Sequence, residues 1–375
     1  MKKSNIASLN AEVSLLGFGF MRLPILDGNA SKIDYPMAQA MVDRAYKAGV
    51  NYFDTAWPYH EGTSEDFTGE TLSRYPRDSY YLASKMPTWE TFKSEDDMER
   101  IFKEQLRKCK TSYFDFYLAH GLNEERLDIL QNWIYSFLCK KKKEGLIRRM
   151  GFSFHDHYDV MEEIVKKYQW DFAMIQLNYV DWEIADAKKL YGICTEHKLP
   201  MVIMESIKGG TLSNKLYDKA LELIKKANPD ASPASWALRF AASLHNIITV
   251  LSGMTEPLHV EDNIKTFEDF KPLSDDELKV LEETARIYRT SGTIPCTECR
   301  YCIDCPAGVN IPQVLVRYNH HLINKIKINF INQYRTLKKS EQAHNCTDCG
   351  KCVKLCPQHI DIPKHMKEVV ELLAT

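Results

Sequence analysis

Cysteine is nearly absent from the first three-quarters of this sequence, where only Cys109, Cys139 and Cys194 precede residue 296. A 375-residue chain with three scattered cysteines in helical patterns has no disulfide framework there, and it is long enough to bury a core without one. Also missing is any run of about eighteen apolar residues, so no membrane span is expected. The opening Met1-Lys-Lys-Ser-Asn-Ile-Ala7 carries two basic residues with no apolar segment behind them. No secretory signal is expected, and a reducing, cytoplasmic setting follows. An excess of positive charge is lacking too: 49 Lys and Arg stand against 51 Asp and Glu, which argues against a nucleic-acid binder.

One further absence bears on the fold. Gly17-Phe-Gly19 lacks the third glycine of a G-x-G-x-x-G fingerprint, and Arg22-Leu-Pro24 follows where a helix would have to open. That weighs against a doubly wound open sheet. From residue 12 to 290 the sequence instead alternates short apolar runs with amphipathic stretches, the pattern of repeated strand-helix units. Strands are expected at Leu15–Phe20, Val50–Asp54, Tyr80–Ser84, Phe114–Ala119, Arg149–Ser153, Phe172–Gln176, Met201–Glu205 and Ile247–Leu251. Helices are expected at 36–48, 64–74, 95–109, 125–143, 158–168, 183–197, 215–226, 233–243 and 258–267, with one more over 275–290. About eight such units in roughly 250 residues have the size of a TIM barrel. We therefore expect an α/β (β/α)8 barrel over 1–290 and a small helical domain over 291–375.

What the barrel lacks in cysteine the tail supplies. Eight of the eleven cysteines fall in two runs, Cys296-x2-Cys299-x2-Cys302-x2-Cys305-Pro306 and Cys346-x2-Cys349-x2-Cys352-x3-Cys356-Pro357. Three cysteines two residues apart wrap three corners of an iron-sulfur cubane, and a fourth before proline reaches across to the other cluster. On that pattern Cys296, Cys299, Cys302 and Cys356 hold one 4Fe-4S cluster, and Cys346, Cys349, Cys352 and Cys305 hold the second. The first run is one residue short of the pattern between Cys302 and Cys305, so Cys305 is the weakest assignment. Zinc is the competing reading, but its sites pair two C-x2-C units far apart in sequence. Each run is followed by a matched phrase, Gly308-Val-Asn-Ile-Pro312 and His359-Ile-Asp-Ile-Pro363, which suggests two pseudo-symmetric halves joined by two helices over 312–344.

In a TIM barrel the active site lies at the C-terminal strand ends. Asp54 ends the second expected strand, Tyr59 follows in its loop, Lys85 ends the third and His120 the fourth. A tyrosine of ordinary pKa about 10 serves as an acid near neutrality when a cation stabilises its phenolate. Lys85 can supply that cation, Asp54 can keep Lys85 ionised, and His120 can hydrogen-bond a carbonyl oxygen beside the tyrosine.

At these residues, and over about 12–270, the chain resembles the aldo-keto reductase superfamily. Phe53-Asp-Thr-Ala-Trp-Pro-Tyr59, Gly62-x-Ser64-Glu65 and Gly69-Glu70 resemble its first signature. The resemblance implies Tyr59 as general acid, Lys85 and Asp54 as its tuning pair, and His120 as the substrate-orienting residue. It also implies a nicotinamide dinucleotide lying across the barrel mouth and passing hydride to an aldehyde or ketone. Carried over position by position, Ser153, Gln176 and Asn178 fall at the carboxamide, Met21 and Arg22 in the first cofactor loop, and Asn263 near the adenine. Met204 stands where many relatives stack a tyrosine. Gly253 and His259 stand where NADPH-binding relatives place cations, so NADPH and NADH both remain open. With its cysteine tail the whole chain resembles a subgroup carrying a C-terminal 4Fe-4S dicluster domain.

Other features take plainer readings. Lys140–Lys143 ends a helix, where cations suit the dipole. His155 and His157 lack a third metal ligand and read as a polar wall. Trp57, Trp89 and Trp182 fall in loops above the strand ends and are candidates for a substrate pocket or for domain docking. Two functions stay open: a nicotinamide-dependent carbonyl reductase, and an electron-transfer protein serving a ferredoxin- or flavodoxin-like partner. Hydride carries two electrons and a cluster accepts one. No flavin motif is present to mediate, which leaves a flavin without a recognisable motif, a substrate radical, or two sites that do not communicate.

Overall fold

The computed structural model describes residues 1–184, 186–213 and 215–374. It separates into two compact units, one of Met1–Ile207 with Ala234–Leu278 and one of Lys208–Pro233 with Lys279–Thr375.

The first unit opens with an antiparallel hairpin, β1 (Lys3–Ile6) and β2 (Ala11–Ser14). A closed parallel barrel follows: β3 (Leu16–Gly19), β4 (Tyr52–Asp54), β5 (Tyr81–Pro87), β6 (Phe114–Leu122), β7 (Ile147–Phe154), β8 (Phe172–Gln176), β9 (Met201–Met204) and β10 (Ile247–Gly253), with β10 pairing back onto β3. Every expected barrel strand is present, with ends shifted by a few residues. The hairpin was not expected, since its short polar strands carry no clear alternation.

Inward-facing side chains fill the barrel rather than leaving a pore, as burial of apolar surface demands. Tyr52, Ala83, Phe116, Leu118, Phe172, Met174, Val202 and Ile248 pack there with Leu9, Ala11 and Val13 of the hairpin segment. Arg149 donates to the Leu9 carbonyl at 2.6 and 2.8 Å, fixing the hairpin segment to β7 near its start. Polar strand-end residues are thereby left to the opposite end. Gly151 illustrates the tightness of the wall, because a Cβ there would lie 2.6 Å from the Phe172 carbonyl oxygen.

Two of the helices start where the sequence supplies caps. Asp34 accepts from the Met37 amide at 3.1 Å to open Tyr35–Lys47. Ser94 and Asp97 form a capping box for Glu95–Lys108, with acids in its first turn and Arg107 and Lys108 in its last. The helix expected over 125–143 contains a wider-wound turn at Leu130–Ile134. The one expected over 183–197 is observed as Asp181–Ile184 and Ala187–Glu196, with residue 185 outside the described residues. Among the described residues, no helix is long and apolar enough to cross a membrane.

The second unit is helical, with Ile311–Asn324, Lys327–Tyr334, Lys351–Leu355 and Ile362–Ala374 following the end of Asp275–Ser291. Its core joins Val309, Ile311, Val314, Leu315, Phe330, Tyr334, Ile360, Ile362, Met366 and Val369. The repeated phrases occupy equivalent places. Val309 and Ile360 are buried, as are Ile311 and Ile362, each phrase opens a helix, and Gly308 and His359 both have positive φ, 73° and 49°.

Lys208–Pro233 lies with this unit although it follows β9 in sequence. Tyr217 stacks on Tyr288 with centroids 4.3 Å apart, Lys215 pairs with Glu298, and Gly209 packs against the backbone of Thr297.

Candidate active site and cysteine loops

β4, β5 and β6 are neighbours in register, so Asp54, Lys85 and His120 emerge side by side at one end of the barrel. Lys85 Nζ donates to Asp54 Oδ1 at 2.6 Å, to the Thr55 carbonyl at 2.8 Å and to the Tyr59 hydroxyl oxygen at 3.2 Å. An ammonium has three N–H donors, and all three are used here. Tyr59 accepts from Lys85 and so retains its own O–H for a different acceptor. The imidazole of His120 meets the Tyr59 ring edge-on at 6.0 Å and Trp89 at 4.9 Å. His120 Nδ1 is buried and has no hydrogen-bond partner among the described residues, a donor or acceptor left for a ligand.

Electrostatics at this cluster are set mainly by dehydration. Burial raises the Asp54 carboxyl and lowers the Lys85 ammonium, and each opposes the other's shift through their contact. Burial, then the nearby charges of Asp54 and Glu205, push the Tyr59 phenol well above its ordinary 10, with Arg22 opposing. The sequence suggests a phenol drawn down by Lys85; burial and the two carboxylates dominate instead. Tyr59 is therefore fully protonated near neutrality. Burial, reinforced by Lys85, His155 and Arg126, holds His120 far below 6.5, so its ring is neutral.

Sequence reasoning passed over His60, which fixes the tyrosine loop. Its ring accepts from the Leu23 amide at 3.1 Å and meets the Ala30 carbonyl at 2.8 Å, tying the tyrosine loop to the loop that carries Met21 and Arg22. His60 and Glu61 both sit at positive φ, 52° and 54°, a conformation costly for non-glycine residues and held by these contacts. A signal existed in the polar residues directly after Tyr59, but their backbone geometry did not show.

Of the expected cofactor residues, Ser153 is buried and accepts from the Gly121 amide at 2.7 Å. Gln176 and Asn178 both donate to Asp181 Oδ2, at 2.8 and 2.6 Å. Asn178 also donates to the Glu205 carbonyl and accepts from the amides of Val180 and Asp181, so all its hydrogen-bonding positions serve the chain itself. It organises the β8 and β9 ends rather than offering a free amide. Met204 lies opposite Gln176 in register. Arg22 faces Glu205 at 3.8 Å and packs where a Cβ on Gly253 would meet it at 3.1 Å. His259 accepts from the Thr255 amide, and Asn263 is buried, donating to Ser252 at 2.9 Å. These groups line the β3, β7, β8, β9 and β10 ends and suit a polar ligand lying across them.

Trp182 packs between Tyr191 and Phe240, away from this cluster, whereas Trp89 meets the His120 ring edge-on. Lys108 sits over the ring of Trp57, 4.9 Å from its centroid. His157 is exposed and 3.7 Å from Asp186. Among the described residues, no three His, Cys, Asp or Glu side chains stand close enough to hold a single metal ion.

The cysteines sort into two groups, the first by the cavity it lines and the second by electrostatic interaction among its thiols. Cys296, Cys299, Cys302 and Cys356 line one small cavity, walled by Ile311, Leu315, Ile360 and Ile362. Cys346, Cys305 and Cys349 are the thiols whose charge acts on Cys352. The two loops share one backbone path: Glu298 and Asp348 have φ of 55° and 57°, and Arg300 and Gly350 of 69° and 70°, flanking the second cysteine of each run. Dehydration and mutual crowding push the Cys296 thiol up to about 12 and raise Cys302 as well. Four sulfurs spread around a cavity rather than drawn to a point fit a polynuclear iron-sulfur group.

Comparison with known proteins agrees with both parts. The Aldo/keto reductase family profile matches residues 15–286, and the 4Fe-4S dicluster domain profile matches 295–361. The chain is 25% identical over 319 residues to an uncharacterized oxidoreductase, YqkF, of Bacillus subtilis, spanning 77% of this chain and 99% of that one. It is 22% identical over 329 residues to an NADH-specific methylglyoxal reductase of Escherichia coli, covering 76% and 98%. The structure is similar to the holo form of aldo-keto reductase AKR11C1 from Bacillus halodurans, with TM-score 0.64, 25% identity, and coverage of 76% of this chain and 96% of that one.

Proposed function

The chain belongs to the aldo/keto reductase family, and from that premise we propose that this oxidoreductase reduces a small aldehyde or ketone at the expense of NADPH or NADH. We propose further that the tail carries two 4Fe-4S clusters, that 1–290 and 291–375 are the two domains, and that the protein works in the reducing cytoplasm. The observation that carries the reductase reading is the three-way bonding of Lys85, which leaves the Tyr59 proton as the one directed away from the protein's own acceptors.

A reduced nicotinamide held across the strand ends would supply hydride to the carbonyl carbon. Tyr59 delivers its proton to the carbonyl oxygen as negative charge develops there. The Lys85 ammonium, fixed by Asp54 and the Thr55 carbonyl, stabilises the phenolate that this transfer leaves behind. Neutral His120 orients the carbonyl oxygen by a hydrogen bond, and Trp89 limits how far the substrate can shift. Ser153 and Gln176 would hold the carboxamide side of the nucleotide, with Arg22 and His259 toward its phosphates. A relative named for NADH and methylglyoxal supports a small substrate and leaves both nucleotides open.

The second reading, one-electron transfer with a ferredoxin- or flavodoxin-like partner, is supported by the matched φ values of the two cysteine loops, since hydride transfer needs no iron-sulfur group. The test is to measure NADPH and NADH binding by the reconstituted chain and their oxidation by a panel of aldehydes, ketones and quinones. Binding with carbonyl-dependent oxidation is expected; neither binding nor turnover with either nucleotide would refute the reductase.

A further inference from the structure

The two cysteine loops differ in what surrounds them. Three of the first-loop group, Cys296, Cys299 and Cys302, are partly covered and face a cavity walled by aliphatic side chains. Among the eight cysteines of the runs, all within the described residues, Cys349 alone is exposed. The second group is thus the one with an edge toward solvent.

That edge is basic. From Ser291 onward the sequence holds eleven Lys and Arg against seven Asp and Glu, although the whole chain is net −2, and no acidic residue occurs between Asp304 and Glu341. Lys338 and Lys339 precede the second run with six residues between and are exposed. Asn345 donates to the Lys339 carbonyl at 2.7 Å, folding this basic pair back beside Cys346. Lys351 and Lys354 are exposed on the short helix Lys351–Leu355, three residues apart and so on one face. The nearby acids are already compensated: Asp348 is paired with Lys367 at 2.6 Å and Glu341 lies 3.8 Å from Lys338. Lys339, Lys351 and Lys354 have no carboxylate partner among the described residues, so their charges face solvent.

We propose that Lys339, Lys351 and Lys354 form the docking surface for a small, strongly acidic protein carrying a one-electron centre, and that electrons enter at the Cys349 edge. The proposal rests on the reading that the second cysteine group holds a 4Fe-4S cluster. Opposite charge steers such a carrier and orients it, while the exposed thiolate edge gives the shortest path for transfer. One electron leaves the reduced carrier and one is taken up at the second cysteine group; no bond forms and no proton moves.

The test uses the full reconstituted chain and a purified acidic ferredoxin as probe. Replacing the three lysines by glutamate (K339E/K351E/K354E) should weaken binding about tenfold or more at low salt, and wild-type affinity should fall as salt rises. Iron and sulfide content should stay at the wild-type level. The same charge change at exposed positions outside the cysteine tail (K93E/K143E/K226E) should leave binding near wild type. Carbodiimide cross-linking of the wild-type complex should map to the three lysines, a readout that does not depend on any variant folding. Fully loaded chains whose binding ignores the tail reversal, responds equally to the control reversal, or cross-links elsewhere would overturn the docking surface alone. A wild-type chain holding no cluster that dithionite can reduce would overturn the cluster reading and this proposal with it.

Discussion

Lys85 and Asp54 form an ion pair across 2.6 Å with neither side chain more than 2% exposed. A pair this dry gains little net stability while intact but loses heavily when one member is removed, because the other stays buried and charged.

Asp54→Asn is therefore expected to destabilise the barrel by about 3–5 kcal/mol. Chemical denaturation of the single variant and of the double variant Asp54→Asn with Lys85→Met measures it, and the double change should recover much of the loss. A single variant as stable as wild type would contradict the burial of this pair.

Glu65 lies behind the same lysine, its carboxylate accepting from Ser84 and Gln105, each at 2.7 Å. Burial raises its pKa from 4.5 to about 7, against the hydrogen bonds of those two residues. The folded state thus binds this proton more tightly than the unfolded chain. Its contribution to stability is full below pH 4.5 and is lost as pH rises through about 7. The loss is on the order of 3 kcal/mol. Glu65→Gln should match wild type in acid and exceed it in stability near about pH 8. Unfolding free energies of both proteins across that range would show parallel curves if the carboxyl were not buried.

On the proposed ligation, which crosses between runs, cluster loss should follow groups rather than runs. Cys356→Ser is expected to leave the same residual electron paramagnetic resonance spectrum as Cys299→Ser, and Cys305→Ser the same as Cys349→Ser. Spectra that instead pair Cys356→Ser with Cys349→Ser would show uncrossed ligation.

Gly209 has φ of 61°, and a Cβ there would fall 2.1 Å from the Thr297 carbonyl oxygen. Gly209→Ala should destabilise the helical unit by about 2–3 kcal/mol, since backbone must move. Thermal unfolding of the loaded protein checks it; an unchanged midpoint would place the loop elsewhere.

The barrel was legible because its strands are apolar runs at regular spacing, and Asp54, Lys85 and His120 were legible because strand ends follow from strands. Tyr59 was legible from its signature. Other features depend on three-dimensional closeness that spacing does not encode. The hairpin at Lys3–Ser14 is too polar to stand out, and Asn178 looks like any strand-end amide until its four bonds to the chain are seen. Burial reverses the direction in which Tyr59 was expected to shift, and no sequence pattern states that two carboxylates face it. Lys208–Pro233 reads in sequence as one more barrel connection, yet it packs with the cysteine unit through Thr297 and Tyr288.

The central claim is that the Tyr59 proton completes hydride transfer to a carbonyl. The direct measurement compares carbonyl-dependent NADPH or NADH oxidation by the wild type and Tyr59→Phe, with nucleotide binding and iron content measured on the same preparations. Turnover lower by about 10²–10⁴-fold, with binding and iron retained, is the predicted result. Turnover by Tyr59→Phe equal to wild type would contradict it.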